Sequence, residues 1–257
     1  MSGSTDPIVA HVLAARASQT VGPAPSEGRS LTLAEAYDVQ DRVRQALVAG
    51  GERVIGWKAG YTSKLTQQKY AIDAPACAFL LGSGVYASGA EVPASRFRGL
   101  AVEAEVALVM GRSLAGPGVT PPQALLAVEG AVPALELVDF RYAGTPTVVD
   151  AVADGVFASA VVLGEPLTDV KHLDLALEGL VYEQNGVIAA TNTAAEVLGS
   201  PINSLAWVAN HLGARGLGLR AGDVVMTGSV SLLLRPKAGD TVRARFTRLG
   251  SVSARFV

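Results

Sequence analysis

The stretch AVEAEVALVMG (residues 101–111) decides how this sequence folds and where its chemistry lies. Its apolar, β-branched composition predicts a strand. Strand side chains alternate between two faces, so Glu103 and Glu105 point to the same face. That face continues as Ala107 and Val109, which do not solvate a surface. Two unpaired carboxylates inside an apolar strand would be costly or would have to take up protons. The stretch therefore predicts a compensating partner, such as a divalent cation.

The segment PALELVDFRY (residues 133–142) places a third carboxylate, Glu136, in equally apolar surroundings. Three carboxylates from two strands form a hard-oxygen set, which suits Mg²⁺ or Mn²⁺ rather than metals that prefer thiolate or imidazole. The spacing alone leaves a second interpretation open, in which a buried salt-bridge network with Lys58, Arg98 or Arg141 compensates the charge. The E-x-E spacing also occurs often by chance, so it does not decide between the two.

The composition excludes several classes of protein. Of the 257 residues, 49% are hydrophobic and 17% charged, which fits a compact chain with a large buried core. The net charge of −2 and the lack of a basic cluster argue against a nucleic-acid partner. The single cysteine, Cys77, excludes an intrachain disulfide framework. No apolar run approaches the roughly 20 residues that span a bilayer, and the polar start is unlike a secretory signal. We therefore expect a soluble, cytoplasmic protein with no membrane partner.

Residues 1–50 are predicted to form a helical region. Apolar residues recur at helical spacing over residues 7–18, and a second helix follows over residues 33–51. Thr32 is placed to cap this second helix, with Glu35 as its capping-box partner.

Residues 51–257 are predicted to form one continuous β-rich core. Short β-branched runs alternate with Gly and Pro, and Asn185-Gly186 is a strong signal for a two-residue hairpin turn. One further helix is expected over residues 201–213. Many strands with few helices favour an α+β fold over a doubly wound parallel sheet.

Two further segments carry candidate functional residues. Lys58 lies among apolar residues and glycines in IGWKAGYTS, where burial would lower its pKa for acid–base work. An ordinary lysine with an exposed amino group is the alternative. The turn Thr227-Gly228-Ser229 offers hydroxyls and backbone N–H groups that can hold a carboxylate, although a simple strand end explains it equally well.

Taken together, these segments resemble the 2-hydroxypentadienoate hydratase and 4-oxalocrotonate decarboxylase family of the fumarylacetoacetate hydrolase superfamily. The resemblance covers about residues 30–250 and follows the family's order of motifs. The matching segments are GWKAGYTSK (56–64), VEAEVALVMG (102–111), PALELVDFRY (133–142), VVLG (161–164), AWVANHL (206–212) and GDVVMTGS (222–229).

The resemblance implies helices followed by a mixed, twisted β-roll or barrel-like core, in a protein that forms a homo-oligomer. It implies Mg²⁺ or Mn²⁺ as the cofactor and a small 2-oxo acid as the substrate. The implied roles are metal ligands for Glu103, Glu105 and Glu136, a catalytic role for Lys58, and substrate binding for Thr227, Gly228 and Ser229. From the residues alone, Arg141 is a further substrate-binding candidate, because Asp139 and Arg141 follow Glu136 closely and either orient a ligand or pair with each other.

The sequence departs from the family at two places. Ala76 stands where an acidic residue is usual, and Gly155 and Phe157 replace a polar pair. Both departures make the expected pocket more apolar and bear on which substrate it accepts.

The resemblance predicts a metal-dependent hydratase that adds water to a 2-hydroxy-2,4-dienoate and gives a 4-hydroxy-2-oxo acid. Decarboxylation of a 2-oxo-3-enedioate at the same site is the alternative, which the missing acid at Ala76 favours. Acylpyruvate hydrolysis would need a water-activating His-Glu pair that the sequence lacks at useful spacing. A non-catalytic homologue that keeps the fold is the remaining hypothesis.

Overall fold

The structure, a computed structural model, describes residues 6–257. Within that range the α-helices are α1 (Pro7–Ala17), α2 (Leu33–Ala49), α3 (Lys64–Tyr70), α4 (Pro121–Leu126), α5 (Val148–Asp154) and α6 (Pro201–Ala214). The strands are β1 (Val54–Gly60), β2 (Ala76–Leu81), β3 (Val85–Ala87), β4 (Ala90–Val92), β5 (Leu100–Met110), β6 (Val128–Asp139), β7 (Ala158–Leu163), β8 (Gly179–Gln184), β9 (Val187–Thr193), β10 (Val224–Ser229), β11 (Thr241–Phe246) and β12 (Gly250–Phe256).

The strands form two mixed sheets. The seven-stranded sheet has the order β2-β1-β10-β5-β6-β7-β3, and the five-stranded sheet has the order β4-β12-β11-β8-β9. The long antiparallel pair β5–β6 runs through the middle of the larger sheet. The predicted α+β class is confirmed, but neither sheet closes on itself, so the core is a roll of two open sheets rather than a barrel.

The strongest local signals in the sequence mark real boundaries. Thr32 and Glu35 form the predicted capping box at the start of α2, with the Glu35 carboxylate 2.8 Å from the Thr32 amide nitrogen. Asn185 and Gly186 both have positive φ and connect β8 to β9 as a two-residue hairpin turn. The helix predicted over residues 201–213 is α6 and ends one residue later.

The expectation of few helices was wrong, because α3, α4 and α5 were missed. Each spans only six or seven residues, too short to show an apolar stripe. Their caps were nevertheless present in the sequence, as with Thr147, whose hydroxyl and amide both bind the carboxylate of Asp150. The segment Thr227-Gly228-Ser229 lies at the end of β10, and an irregular segment follows it.

The helices α1 and α2 pack into the same hydrophobic core as the sheets. Val12 and Val43 are fully buried in that core, together with Val106 of β5. Gln40 of α2 joins two other elements, because its amide donates to the backbone oxygens of Cys77 and Val152. Among residues 6–257 no helix has the length and apolar character needed to cross a membrane.

Candidate metal centre and active site

Strand pairing brings the three predicted acidic residues together. Glu103 of β5 lies directly opposite Glu136 of β6, and Glu105 follows two residues along the same face of β5. One carboxylate oxygen from each residue lies within 4.8 Å of those of the other two. Glu105 and Glu136 are completely buried, while Glu103 is partly exposed. We call these three residues the carboxylate cluster.

A bulge in β10 supports one member of the carboxylate cluster. Between Met226 and Ser229 the strand holds one more residue than the facing part of β5, and Gly228 there adopts φ +120°. The Gly228 amide donates a hydrogen bond of 2.8 Å to Oε2 of Glu105. Any side chain at this position would overlap the hydroxyl of Thr62, so the close approach requires glycine.

Lys58 of β1 also reaches the carboxylate cluster. Its side chain is buried, and Nζ lies 2.9 Å from Oε2 of Glu136. In a flat sheet β1 and β6 would stand about 14 Å apart, at roughly 4.8 Å per strand. The contact therefore reflects the curl of the sheet as well as the length of the lysine side chain.

The predicted lowering of the Lys58 pKa was wrong. Burial alone would lower this pKa, but Glu136, Glu103 and Glu105 raise it above its ordinary value. The amino group is therefore held in its charged form, and its burial excludes the exposed-lysine interpretation as well.

The carboxylate cluster is short of positive charge. Burial, opposed by Lys58 and assisted by Glu136, raises the pKa of Glu103 to about 7. Burial and the neighbouring Glu136 raise the pKa of Glu105 well above its ordinary value. Oε1 of Glu105 and Oε1 of Glu136 are buried without a hydrogen-bond donor among residues 6–257. Buried carboxylate oxygens in this state fit a hard divalent cation.

The carboxylate cluster opens onto a cavity of about 860 Å³. Glu103, Lys58 and Ser229 line this cavity. Much of the remaining wall is apolar or aromatic, and it includes Tyr61 and Phe140, which sequence reasoning did not select. Both lie inside segments that carry the family resemblance, next to the residues chosen from them, but nothing in the sequence alone shows that their side chains face the cavity.

Three of the four predicted substrate-binding residues, Thr227, Gly228 and Arg141, do not line the cavity, and only Ser229 does. The Thr227 hydroxyl donates to the backbone oxygen of Val106 at 2.7 Å, so it holds the β10 bulge against β5. Arg141 is buried beside Asp139 and forms an ion pair with Asp154. The structure therefore does not bring Arg141 to Lys58 and the carboxylate cluster.

Arg141 belongs to a separate buried group, which we call the arginine network. Its members are Arg16, Arg98, Arg141, Asp139 and Asp154. The hydroxyl of Tyr142 also donates to Asp154 at 2.8 Å. The network fixes α1 and the end of α5 to the end of β6.

Comparison with known proteins identifies the family. The family described as fumarylacetoacetate (FAA) hydrolase C-terminal matches residues 53–257. The chain belongs to the fumarylacetoacetate hydrolase family. Within this family, it is 34% identical to 4-oxalocrotonate decarboxylase of Pseudomonas sp. strain CF600, over 88% of this chain and 86% of that protein. It is also 34% identical to 2-hydroxyhexa-2,4-dienoate hydratase of Comamonas testosteroni, over 95% of this chain and 93% of that protein.

A solved structure of the fumarylacetoacetate hydrolase family shares the whole architecture. It is 4-oxalocrotonate decarboxylase from Pseudomonas putida G7, complexed with magnesium and adipate. The TM-score is 0.93 at 30% identity, over 97% of this chain and 96% of that chain. The resemblance to the hydratase and decarboxylase branch of the family, stated from the sequence, is confirmed.

The departures from the family pattern lie at different distances from the cavity. Ala76 is buried in β2 and pairs with Gly60 of β1. Gly155 ends α5 with φ +88°, a conformation that favours glycine. Phe157 lines the cavity and packs against Phe140, with ring centroids 5.0 Å apart. Of the three departures, Phe157 is therefore the one that makes the cavity wall more apolar.

Proposed function

We propose that this protein is a metal-dependent lyase that adds water to a 2-hydroxy-2,4-dienoate to give a 4-hydroxy-2-oxo acid. The observation that carries the proposal is the convergence of Glu103, Glu105 and Glu136 beside the buried Lys58. Relatives named as dienoate hydratases, similar over nearly the whole chain, support it.

Glu103, Glu105 and Glu136 would hold the cation, with Mg²⁺ or Mn²⁺ as the ions that a three-carboxylate site prefers. A cation held there would supply Lewis-acid stabilisation of an enolate at the 2-oxo group. Such an enolate arises when water adds at C4 of the conjugated 2-oxo-3-enoate, which the 2-hydroxy-2,4-dienoate gives by losing its hydroxyl proton and taking up a proton at C5. The Gly228 amide fixes the orientation of Glu105 through Oε2 and leaves Oε1 free as a ligand.

Lys58 and Ser229 would act on the substrate. The buried Lys58 amino group lies beside the carboxylate cluster, with Nζ 2.9 Å from Oε2 of Glu136, so it is placed to donate a proton or to bind the substrate's developing negative charge. Ser229 also lines the cavity, and its hydroxyl would orient the substrate carboxylate by exchanging its present hydrogen bond, 2.8 Å to the backbone oxygen of Ser231, for one to the substrate. Thr227 would contribute indirectly by holding the bulge.

The test is turnover of 2-hydroxypenta-2,4-dienoate, followed by its ultraviolet absorbance and by detection of the 4-hydroxy-2-oxo product. We expect turnover to require Mg²⁺ or Mn²⁺, to stop with EDTA and to be lost in Glu105→Gln. The matched control is Glu91→Gln, which removes an exposed carboxylate from β4. Full, EDTA-resistant turnover in Glu105→Gln would refute the proposal. Binding of Mg²⁺ and oxalate without turnover of any dienoate or enedioate would instead identify a non-catalytic homologue.

Decarboxylation of a 2-oxo-3-enedioate is the second candidate reaction. It uses the same stabilised enolate, and it is favoured by the apolar Ala76 in place of an acid. Similarity to the decarboxylases, in sequence and in fold, supports it further. Incubation with both substrates distinguishes the reactions, because only decarboxylation releases CO₂ and only hydration consumes water.

We further propose that the protein is a cytoplasmic homo-oligomer. The edge strand β9 supports assembly, because nearly all its residues are exposed and they include Val187 and Ile188. The free thiol of Cys77 fits a reducing compartment. Light scattering after size-exclusion chromatography should give a mass that is a multiple of the 26.3 kDa chain, and a monomer would contradict the proposal.

A further inference from the structure

The geometry points to Arg235 as the residue that binds a second carboxylate at the far end of the substrate. The substrate class is then a 2-oxo-enedioate rather than a 2-oxo-enoate with an uncharged end. This inference rests on the proposed function, because the 2-oxo acid end must first be held at the carboxylate cluster. Hydration can act on a diacid as well as on a monoacid, as the name of one relative, 2-oxo-hept-4-ene-1,7-dioate hydratase, indicates. The inference therefore narrows the substrate and leaves the reaction type open.

Strand register places Arg235 on the same face as the carboxylate cluster. Val102 of β5 and Leu234 exchange two backbone hydrogen bonds, of 2.8 and 3.0 Å, in an antiparallel bridge. The residue after Leu234 therefore lies beside Ala101, and residues opposite each other in an antiparallel pair share a face. Ala101 is two residues before Glu103 on β5, so Arg235 shares the face of Glu103. In agreement, Arg235 and Glu103 both line the cavity.

The wall between these two points is apolar. Leu233 and Val138 line the cavity there, as do Phe140 and Phe157. The Arg235 guanidinium lies over the Phe140 ring, 4.9 Å from its centroid. The order along the face is thus carboxylate cluster, apolar wall and cation. It matches a chelating 2-oxo acid group, a carbon chain and a distal carboxylate.

The spacing fits a short diacid. Two residues along a strand cover about 7 Å. A six-carbon chain with C–C bonds of about 1.5 Å spans a similar length. A substrate chelated beside Glu103 and extended along β5 therefore places its last carbon near the guanidinium of Arg235.

Arg235 is free to take an anionic partner. It has no part in any ion pair between described side chains. The cavity wall holds one other acid besides Glu103, namely Glu196, and one exposed lysine, Lys69. Since an arginine presents a planar pair of donors that match a carboxylate, Arg235 is better suited than Lys69 to fix the orientation of a substrate end.

The test compares two stable ligands that share the 2-oxo acid group and differ at the far end, 2-oxohexanedioate and 2-oxohexanoate. Binding is measured by isothermal titration calorimetry with the Mg²⁺-loaded protein. We expect the wild type to bind the diacid about tenfold more tightly than the monoacid. We expect Arg235→Gln to abolish this preference and Arg235→Lys to restore part of it. The matched control is Arg243→Gln, an exposed arginine on β11 outside the cavity, which should leave the preference unchanged.

Oxalate distinguishes failure of this inference from failure of the proposed function, because it has a chelating group but no far end. If oxalate binds in the presence of Mg²⁺ while Arg235→Gln keeps the full diacid preference, Arg235 is not the anchor. A wild type that binds oxalate but shows no preference for the diacid would overturn the inference in the same way. If neither oxalate nor either 2-oxo acid binds, the proposed metal site itself is wrong.

Discussion

The carboxylate cluster lies within the seven-stranded sheet and the arginine network lies where α1 and α5 meet the end of β6, and the two groups differ in how their charges are compensated. In the carboxylate cluster, three carboxylates face one lysine, and two carboxylate oxygens have no donor among residues 6–257. In the arginine network, Asp154 is approached by Arg16, Arg141 and Tyr142, and Asp139 by Arg98. A buried charge that the fold leaves uncompensated marks a place for a ligand, whereas a compensated one serves the fold.

The largest expected effect is on activity, in the carboxylate cluster. Glu136→Gln keeps the shape of the side chain and removes a ligand charge. It should lower kcat/KM by on the order of 10³-fold, because Lewis-acid assistance is worth several kcal/mol. Glu129→Gln, an exposed position on the same strand, should have wild-type kinetics. Wild-type kinetics in Glu136→Gln would show that the uncompensated charge does not serve a ligand.

The next effect is on stability, in the arginine network. Asp154→Asn leaves Arg141 and Arg16 buried without their counter-charge, which should lower the free energy of unfolding by about 3 kcal/mol. Asp38→Asn removes the exposed partner of Arg215 and should cost at most about 1 kcal/mol. Urea denaturation measures both. Equal losses in the two variants would show that the arginine network is not structural.

Added Mg²⁺ should stabilise the protein through the carboxylate cluster and not through the arginine network. A ligand that binds only the folded state stabilises it by about 2.7 kcal/mol at 100 times its Kd. We expect added Mg²⁺ to raise the unfolding temperature of the wild type. Asp154→Asn should unfold at a lower temperature without Mg²⁺, and added Mg²⁺ should raise that temperature by the same amount. Glu136→Gln should lose most of this increase. A Mg²⁺ shift that survives in Glu136→Gln would mean that the ion binds elsewhere.

The smallest expected effect is on the pH dependence of stability. It involves His211, which belongs to neither the carboxylate cluster nor the arginine network. His211 of α6 stacks on Trp207, with ring centroids 5.0 Å apart, and burial followed by the charge of Arg215 lowers its pKa to about 4. The unfolded chain takes up a proton near pH 6.5 and the folded chain only near pH 4. This stability is therefore complete above pH 6.5 and falls as the pH drops toward 4.

His211→Phe keeps the ring and cannot be protonated. Between pH 7 and pH 5 the variant should lose about 1 kcal/mol less stability than the wild type, allowing for the solvent that screens a partly exposed ring. Urea titrations at the two pH values measure this difference. Identical losses would mean that His211 is not responsible for the acid sensitivity.

The residues that could be predicted from the sequence are those whose local context is anomalous. Glu103 and Glu105 were visible because acids inside an apolar strand need a partner, and the hairpin turn at Asn185-Gly186 because few residues adopt positive φ. Of the two interpretations left open for Lys58, the structure shows the buried one, but the direction of its pKa shift could not be predicted, because that depends on acids from other strands.

The rest of the site depends on contacts between distant segments. Arg141 was expected at the substrate, but it lies beyond the end of β6, where Asp139 and Asp154 hold it. Arg235 was missed because it lies in an irregular segment. It lines the cavity because the bridge between Leu234 and Val102 sets the face on which its side chain lies. Resemblance to the family supplied the fold, since periodicity alone indicates strands but not their order in two sheets.

The pairing of Glu103 with Glu136 across β5 and β6 also bears on how the chain finds its fold. If β5 slipped by one residue, every one of its side chains would exchange faces. Depending on the direction of the slip, Glu103 and Glu105 would then replace Val102 and Ala104, or Ala104 and Val106, in the hydrophobic interior. The acids of the carboxylate cluster thus disfavour misaligned pairing, because only the correct register of β5 and β6 places them next to Lys58 rather than in the apolar core.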